Sequence, residues 1–276
     1  MPWTAPSGNT YKCCLLDTNV LSEILKNKRK EAVGFLEKYR PDLTVPCMTI
    51  YNYIELRRKP ELFEEYLRVF SIFSNFLLKP HRLIIQEEVN NQYQTNPISI
   101  QIRAFSPLGP TETHDLRDFV NQLFEMPDIA EIERNWREEE KIGLDSWLKR
   151  KSNFKVNKPA ANAEDAERYV KIMLLDYLES DRLFSVKKKF ESFDKISLEN
   201  YPAIKTMLYS EYYRIFDPSW KPCPKEVTDT YIVAAAPYMD IVITENYQAE
   251  ILRKVQNRVP GLENLEIATL RDIRLS

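Results

Sequence analysis

Four carboxylic acids stand where a strand pattern gives way to a helix pattern, or just inside the helix that follows. Asp17 ends a short apolar run that is long enough for one buried strand and too short for a helix. Glu55 lies in a helical pattern after the second predicted strand, Asp229 lies near the start of a later helix, and Glu245 follows a late β-branched run. Neighbouring parallel strands bring their carboxyl ends to one sheet edge, where open α/β sheets bind ligands.

Carboxylates held close together repel one another unless a cation neutralises them. Their hard oxygen atoms suit Mg²⁺ or Mn²⁺, which keep several waters and reach substrates through phosphate oxygens. Such an ion activates a water molecule and stabilises charge on a phosphoryl group, which is chemistry that needs no histidine. The chain has only His81 and His114 and no G-x-S-x-G segment, so we expect any catalysis to rest on carboxylates. The structural alternative for Asp17 is a simple helix cap.

The composition bounds the class of protein. The 276 residues are 43% hydrophobic and 29% charged, which is typical of a soluble globular protein with one large domain or two small ones. The net charge of −2 differs from the basic balance of proteins that coat nucleic acid. The N-terminus lacks a signal-peptide pattern, no window is apolar enough for a membrane span, and the four cysteines form no C-x-x-C pair. We therefore expect a cytoplasmic protein without a membrane partner.

The two ends of the chain have α/β character. Short apolar or β-branched runs predict strands at about 12–16, 43–46, 240–244 and 265–267. Helical spacing predicts helices between these strands, including one long helix over 61–78, and residues 82–85 are predicted as a brief strand or an extended link. Strand–helix–strand order at both termini indicates one parallel sheet assembled from both ends.

The middle of the chain, from about residue 86 to 205, has a different character. Prolines divide it, charge is dense, and helical patterns cover 112–125, 129–150 and 163–178. A further helical run from about 201 to 216 leads back towards the sheet. We expect this region to be a mainly helical insertion.

The segment Leu15-Leu16-Asp17-Thr18-Asn19-Val20-Leu21-Ser22-Glu23 resembles the opening of PIN-domain nucleases, which include the toxins of bacterial toxin–antitoxin modules. Three later segments resemble the other motifs of that family in order: Ile54-Glu55-Leu56-Arg57-Arg58, the stretch 227–235 around Asp229, and the stretch 241–246. The match covers about 10–75 and 220–270, roughly half of the chain.

The resemblance implies a three-layer α/β/α PIN-like fold with a central parallel sheet. The nuclease domain would be discontinuous, with residues 1–85 and 206–276 interrupted by the helical insertion 86–205. It also implies a Mg²⁺- or Mn²⁺-dependent endonuclease that acts most often on RNA and leaves a 5′-phosphate and a 3′-hydroxyl. The resemblance also implies a protein partner, which would be an antitoxin or a second copy of the chain.

The resemblance also implies roles for single residues. Asp17, Glu55 and Asp229 would hold the metal ion, Thr18 and Asn19 would support them, and Thr244 would orient a ligand or a bound water. The fourth acid is open, since Asn246 stands at the place of an Asp in one alignment. Glu245 ranks first and Asp240 second for that place. Each of two acids also has a purely structural alternative to metal binding. Asp240 would start a strand and hydrogen bond to backbone, and Glu55 would lie on a solvated helix face.

Basic residues are candidates for phosphate contacts. The candidates are Arg57, Arg58, Lys149, Arg150 and Lys151, with a further run at Lys187–Lys189. Solvated helix faces explain such runs more simply. Two other functions compete with the ribonuclease: a catalytically weakened binding or scaffold module of the same fold, and a structure-specific DNA nuclease.

Overall fold

A computed structural model describes residues 3–4, 8–26, 30–91, 101–105, 115–155, 162–180 and 201–273. Its centre is a sheet of seven strands: β1 (Trp3–Thr4), β2 (Thr10–Leu16), β3 (Thr44–Thr49), β4 (Asn75–Leu78), β5 (Gln101–Phe105), β6 (Ile241–Ile243) and β7 (Glu266–Ala268). The strand order is β5-β4-β3-β2-β6-β7, with β1 paired to β2. Strand β1 pairs antiparallel with β2, and β5 pairs antiparallel with β4, whereas the other neighbouring strands in the described residues pair in parallel. The fold is therefore α/β with a mainly parallel central sheet.

Twelve α-helices among the described residues surround this sheet. They are α1 (Thr18–Lys26), α2 (Lys30–Lys38), α3 (Ile50–Arg57), α4 (Pro60–Phe70), α5 (His81–Asn91), α6 (Leu116–Glu125), α7 (Pro127–Asn153), α8 (Ala163–Ser180), α9 (Pro202–Ile215), α10 (Lys225–Val233), α11 (Asn246–Val255) and α12 (Leu270–Ile273). Helix α1 contacts α2, α3 and α4, whereas α9 contacts α5, α7, α8, α10 and α11. Two helix groups of this kind are compatible with an α/β/α arrangement. Within the described part of the chain, no helix combines the length and apolar character needed to cross a bilayer.

The strand order contains a switch point next to β2. From β2 the chain moves outwards through β3 to β4, and from β6 it moves the other way to β7. Right-handed crossovers in opposite directions place the connecting helices on opposite faces of the sheet. The loops that follow β2 and β6 therefore diverge and leave a crevice at the carboxyl ends of these strands. The predicted parallel sheet from both chain ends is confirmed by the pairing of Leu16 with Ile243.

One stretch of the sequence prediction is wrong. The predicted helix 61–78 ends at Phe70, and residues 75–78 form strand β4, which pairs with β3. Asn75 explains the break, because its buried amide donates to the carbonyls of Phe70 and Phe73 at 2.9 Å each. Residues 82–85, predicted as a strand or link, belong to helix α5. Short apolar runs fit either period, and here burial against the sheet decides.

The described part of residues 86–205, which the sequence predicts as an insertion, packs on the rest of the fold. The predicted helices of this region are confirmed as α6, α7 and α8, and β5 adds one antiparallel strand to the sheet edge. Helix α7 approaches α10 closely at Gly143, where a Cβ atom would lie 2.6 Å from Val227 Cγ1. Glu88 of α5 accepts a hydrogen bond from the backbone N–H of Ala203, in the first turn of α9, at 2.6 Å. Through α7, the region 86–205 therefore contacts α10, the helix that carries Asp229, whereas the bond between Glu88 and Ala203 lies within that region.

Candidate functional site

Asp17 occupies the carboxyl end of β2, at the crevice beside the switch point. Its backbone N–H donates to Ile243 at 3.0 Å, and its carbonyl accepts from Leu21 as the cap of α1. The carboxylate accepts from the backbone N–H of Asn19 at 3.0 Å and from Thr244 Oγ1 at 2.7 Å. Asp17 therefore caps helix α1, as the structural alternative for this residue predicts. Thr244, at the end of β6, also holds the Asp17 carboxylate in one orientation.

Asn52 fixes this edge from the other side, and the sequence analysis did not single it out. Its amide donates to the carbonyl of Leu16 at 3.2 Å and to Thr18 Oγ1 at 2.8 Å. Its side-chain oxygen accepts from the backbone N–H of Thr49 at 2.7 Å. The side chain is fully buried. The Thr49-x-x-Asn52 spacing resembles a capping box, and that was the available signal.

We expect Asn52→Leu to lower the free energy of unfolding by about 2–4 kcal/mol, because it leaves buried backbone and hydroxyl groups without partners. Urea unfolding followed by circular dichroism measures this loss. Asn121→Leu, at an exposed position of α6, is the matched control and is expected to change stability by less than about 0.5 kcal/mol. Equal stability of the two variants would contradict the positioning role of Asn52.

Asp229 lies in the second turn of α10, close to Asp17. Burial, with the nearby Asp17 charge second, raises the pKa of Asp229 to about 7, and Arg214 and Lys225 partly oppose this shift. Arg214 Nη2 lies 3.7 Å from Asp229 Oδ2, and its side chain is buried. A raised carboxyl pKa beside a second carboxylate is the signature of crowded negative charge.

Glu245 follows β6, and the residue as a whole is more exposed than Asp229, although its carboxyl is partly buried. Burial of its carboxyl and the Asp17 charge raise its pKa, and Lys225, Arg214 and a hydrogen bond from Asn19 oppose the rise. Asp17, Asp229 and Glu245 therefore share one electrostatic environment. Asn246 is the exposed first residue of α11, directly after Glu245.

Lys225 was missed by the sequence analysis although it stands four residues before Asp229 on the same helix. Its Nζ donates to Asn19 Oδ1 at 2.6 Å. Because the ammonium lies beside the acids, it lowers the pKa of both Asp229 and Glu245. The spacing of four residues, which puts a cation and an acid on one helix face, was the available signal.

Glu55 lies on α3 and faces a groove next to the three acids. This α3–α7 groove has a volume of about 340 Å³ and is lined by Glu55, Arg58, Trp136, Arg137, Glu140, Lys141, Pro224 and Lys225. Glu140 comes from the insertion and accepts a hydrogen bond from Thr228 Oγ1 at 2.6 Å. Burial and the Glu55 charge raise the pKa of Glu140. Lys225 borders both this groove and the region of Asp17, Asp229 and Glu245, which we call the carboxylate edge.

Asp240 is not brought to this edge. It stands before β6, where its Oδ2 accepts from the backbone N–H of Cys13 at 2.9 Å and its own N–H donates to Cys13. Thr244, beside Asp17, is four residues further along, which is about 13 Å in an extended strand. Asp240 is therefore a residue at the start of a strand whose side chain binds backbone, which was the alternative to a metal-binding role. Glu245 remains the candidate for the fourth acid.

The predicted basic residues have different surroundings. The Arg57 guanidinium lies 3.8 Å from the centroid of the Phe124 ring and 3.6 Å from Glu133, and Lys151 lies over Trp220. Arg150 is turned inwards and pairs with buried Glu211 at 2.8 Å, so the structure removes it from the candidate nucleic-acid surface. Lys149 and Arg58 are exposed. The run Lys187–Lys189 and His114 lie outside the described residues.

The histidine in the described part of the chain is structural. His81 is buried, stacks on Tyr231 with ring centroids 3.8 Å apart, and hydrogen bonds with Tyr51 at 3.1 Å. Burial lowers its pKa to about 3, so the ring is neutral. It takes no part in the carboxylate edge.

Asp17 and Asp229 have the donor chemistry for a hard divalent cation. Both carboxylates are largely buried, and their mutual repulsion is the kind that a cation relieves. No three acidic, histidine or cysteine side chains are grouped for metal binding within the described ranges. Mg²⁺ commonly takes only one or two protein carboxylates and fills its shell with water and substrate oxygens, so this pair fits such an ion.

Comparisons of the chain with protein-family models, with curated proteins and with solved structures found no match. The case for a function therefore rests on the fold and the chemistry of this site.

Proposed function

We propose that this chain is a Mg²⁺- or Mn²⁺-dependent endoribonuclease with a PIN-like fold. The observation that supports it most is the convergence of Asp17, Asp229 and Glu245 at the carboxyl ends of β2 and β6, with raised pKa values for the last two. Asp17 and Asp229 would hold the metal, with Glu55 facing the adjoining groove. The toxin-like motifs quoted above point to RNA as the first substrate to test.

A bound divalent cation would supply Lewis-acid activation of water and neutralise charge on the phosphoryl group. Thr244 and the N–H of Asn19 hold the Asp17 carboxylate in place for this role. Lys225, beside the acids, can contact a phosphate oxygen. Glu245 is exposed and can accept the proton of the attacking water. Water adds to phosphorus, the bond to the 3′ oxygen breaks, and that oxygen takes a proton, which gives a 5′-phosphate and a 3′-hydroxyl.

The raised pKa of Asp229 predicts a pH-dependent response to metal. In metal-free protein, its contribution to stability is complete below its ordinary pKa of 3.8 and is lost as the pH rises through about 7. Metal binding needs the deprotonated carboxylate, so Mg²⁺ should raise the melting temperature more at about pH 8 than at about pH 5.5. Thermal unfolding with and without Mg²⁺ tests this. Asp229→Asn should abolish the difference between the two pH values, and a Mg²⁺ effect independent of pH would contradict the assignment.

One observation favours the second candidate, a binding or scaffold module that has lost cleavage. Two cations, Lys225 and Arg214, stand beside the acids and neutralise part of their charge without a metal ion. In that case the acids and cations form a self-sufficient polar network.

Cleavage of labelled RNA separates these candidates. Single-stranded RNA and DNA of one sequence are incubated with Mg²⁺, Mn²⁺ or EDTA, and the product ends are analysed. Metal-dependent cutting of RNA alone, with 5′-phosphate ends, supports the proposal. Cutting of DNA moves the chain to the DNA nucleases. No cutting of a broad RNA pool, together with no metal binding, favours the scaffold module.

A further inference from the structure

We infer that the inserted helix α7 forms a substrate-binding wall, and that the α3–α7 groove holds one unpaired polynucleotide strand beside the carboxylate edge. The inference rests on the proposed function and adds a binding site to it. None of the motifs shared with PIN-domain nucleases includes α7. The helix nevertheless supplies half of the lining residues, Trp136, Arg137, Glu140 and Lys141.

The groove carries an excess of positive charge. Arg58, Arg137, Lys141 and Lys225 line it against only two acids, Glu55 and Glu140. The side chain of Glu140 is mostly buried and accepts a hydrogen bond from Thr228, so this carboxylate is directed into the wall. Arg58, Arg137 and Lys141 are exposed, and no ion pair found in the described part of the chain involves them, although the charges of Arg58 and Arg137 partly oppose the rise in the pKa of Glu140. A net positive charge on exposed side chains along a groove is the electrostatic pattern expected of a surface that binds a phosphate backbone.

A flat cationic surface lies in the same groove. The Arg58 guanidinium carbon is 4.5 Å from the centroid of the Trp136 ring. Trp136 is itself buried and fixed, because its indole N–H donates to Thr228 Oγ1 at 2.8 Å. Unstacked bases of single strands bind guanidinium planes that are supported by an aromatic ring, and Arg58 at this distance from Trp136 offers such a surface. Bases in a duplex are already stacked, so this surface selects an unpaired strand.

The groove leads directly to the acids. Lys225 lines the groove and also donates to Asn19, whose backbone N–H binds the Asp17 carboxylate. A phosphate that contacts Lys225 is thus next to the edge formed by Asp17 and Asp229. The strand would lie in the groove on one side of the phosphate that is cleaved.

Fluorescence anisotropy in EDTA tests the groove independently of cleavage. The probes are a labelled single-stranded RNA, the same sequence as DNA, and the RNA duplex. The wild-type protein should bind both single strands more tightly than the duplex. Arg137→Gln/Lys141→Gln should lower the slope of log affinity against log salt by about 1.4, since each lost contact to a single strand contributes about 0.7. Lys171→Gln is the control, because Lys171 is an exposed lysine of α8 that does not line the groove.

Arg58→Lys tests the stacking surface, because it keeps the charge and removes the plane. We expect it to weaken single-strand binding by about fivefold or more and to leave the salt slope unchanged. A duplex bound as tightly as the single strands, or a double variant with the salt slope of Lys171→Gln, would overturn the inference. If the expected single-strand binding is found but no RNA is cleaved, the groove is supported as a binding site and the proposed nuclease activity is refuted. If cleavage is lost in Asp17→Asn but unchanged in Arg137→Gln/Lys141→Gln, the nuclease activity is supported and the groove is refuted as a strand-binding site.

Discussion

Asp17→Asn is expected to reduce metal-dependent RNA cleavage by more than about 100-fold, because even partners outside the metal's own shell cost about 10–100-fold when they are lost. The amide keeps the shape of the carboxylate and removes the charge that would attract the cation. Its oxygen can still accept from Thr244 or from the Asn19 N–H, so the edge of β2 should stay folded. The rate constant of cleavage, measured with Mg²⁺ and with Mn²⁺, gives the size of the effect.

Asp240→Asn is the matched control for that variant. It makes the same chemical change at the other end of β6, where the side chain binds the Cys13 backbone. We expect its cleavage rate to stay within about threefold of wild type, equivalent to less than about 0.7 kcal/mol. If Asp240→Asn lost as much activity as Asp17→Asn, the choice of the β2 and β6 carboxyl ends as the active edge would be wrong.

Glu211→Ala is expected to lower the free energy of unfolding by about 3 kcal/mol, the lower end of the cost of breaking a buried ion pair. Both Glu211 oxygens accept from Arg150 Nη1, at 2.9 and 2.8 Å, and Tyr169 also donates to the carboxylate. The Glu211 side chain is 3% exposed, whereas Arg150 is 28% exposed and can regain some water. The lower end of the range follows from that partial exposure.

This variant also tests how the insertion is joined to the sheet. Arg150 belongs to α7, Tyr169 to α8 and Glu211 to α9, so one carboxylate ties three helices together. Urea unfolding should show a single transition at lower denaturant for Glu211→Ala. Lys149→Ala, next to Arg150 but exposed, should differ from wild type by less than about 0.5 kcal/mol. Equal stability of the two variants would contradict the central role of this network.

The local part of the site was predictable from the sequence. The apolar run before Asp17 stops at a residue that can cap a helix, and the structure confirms strand β2 and helix α1 on either side of it. The β-branched run before Thr244 likewise forms a strand, β6, beside β2. Both signals are local, because the burial of a strand and the capping of a helix are written in adjacent residues.

The contacts between distant elements were not predictable. Glu140 and Trp136 reach the site through Thr228, and no spacing in the sequence indicates which face of α7 meets α10. The sequence predicted a helix at β4 because its three apolar residues, at 76–78, fit the period of a helix as well as that of a strand. Pairing with β3 makes this segment a strand. Arg150 sat in a basic run that resembled a surface patch, and only the fold reveals its buried partner.

Mn²⁺ binding, measured by isothermal titration calorimetry, tests the central claim most directly. The account predicts Mn²⁺ binding to the wild type, retained in Asp240→Asn and lost or weakened more than about tenfold in Asp17→Asn and in Asp229→Asn. Displacement of Mn²⁺ by Mg²⁺ should follow from the shared preference for hard oxygen ligands. Binding that is unchanged in both Asp17→Asn and Asp229→Asn, or no binding to the folded wild type, would contradict a metal site at the carboxyl ends of β2 and β6.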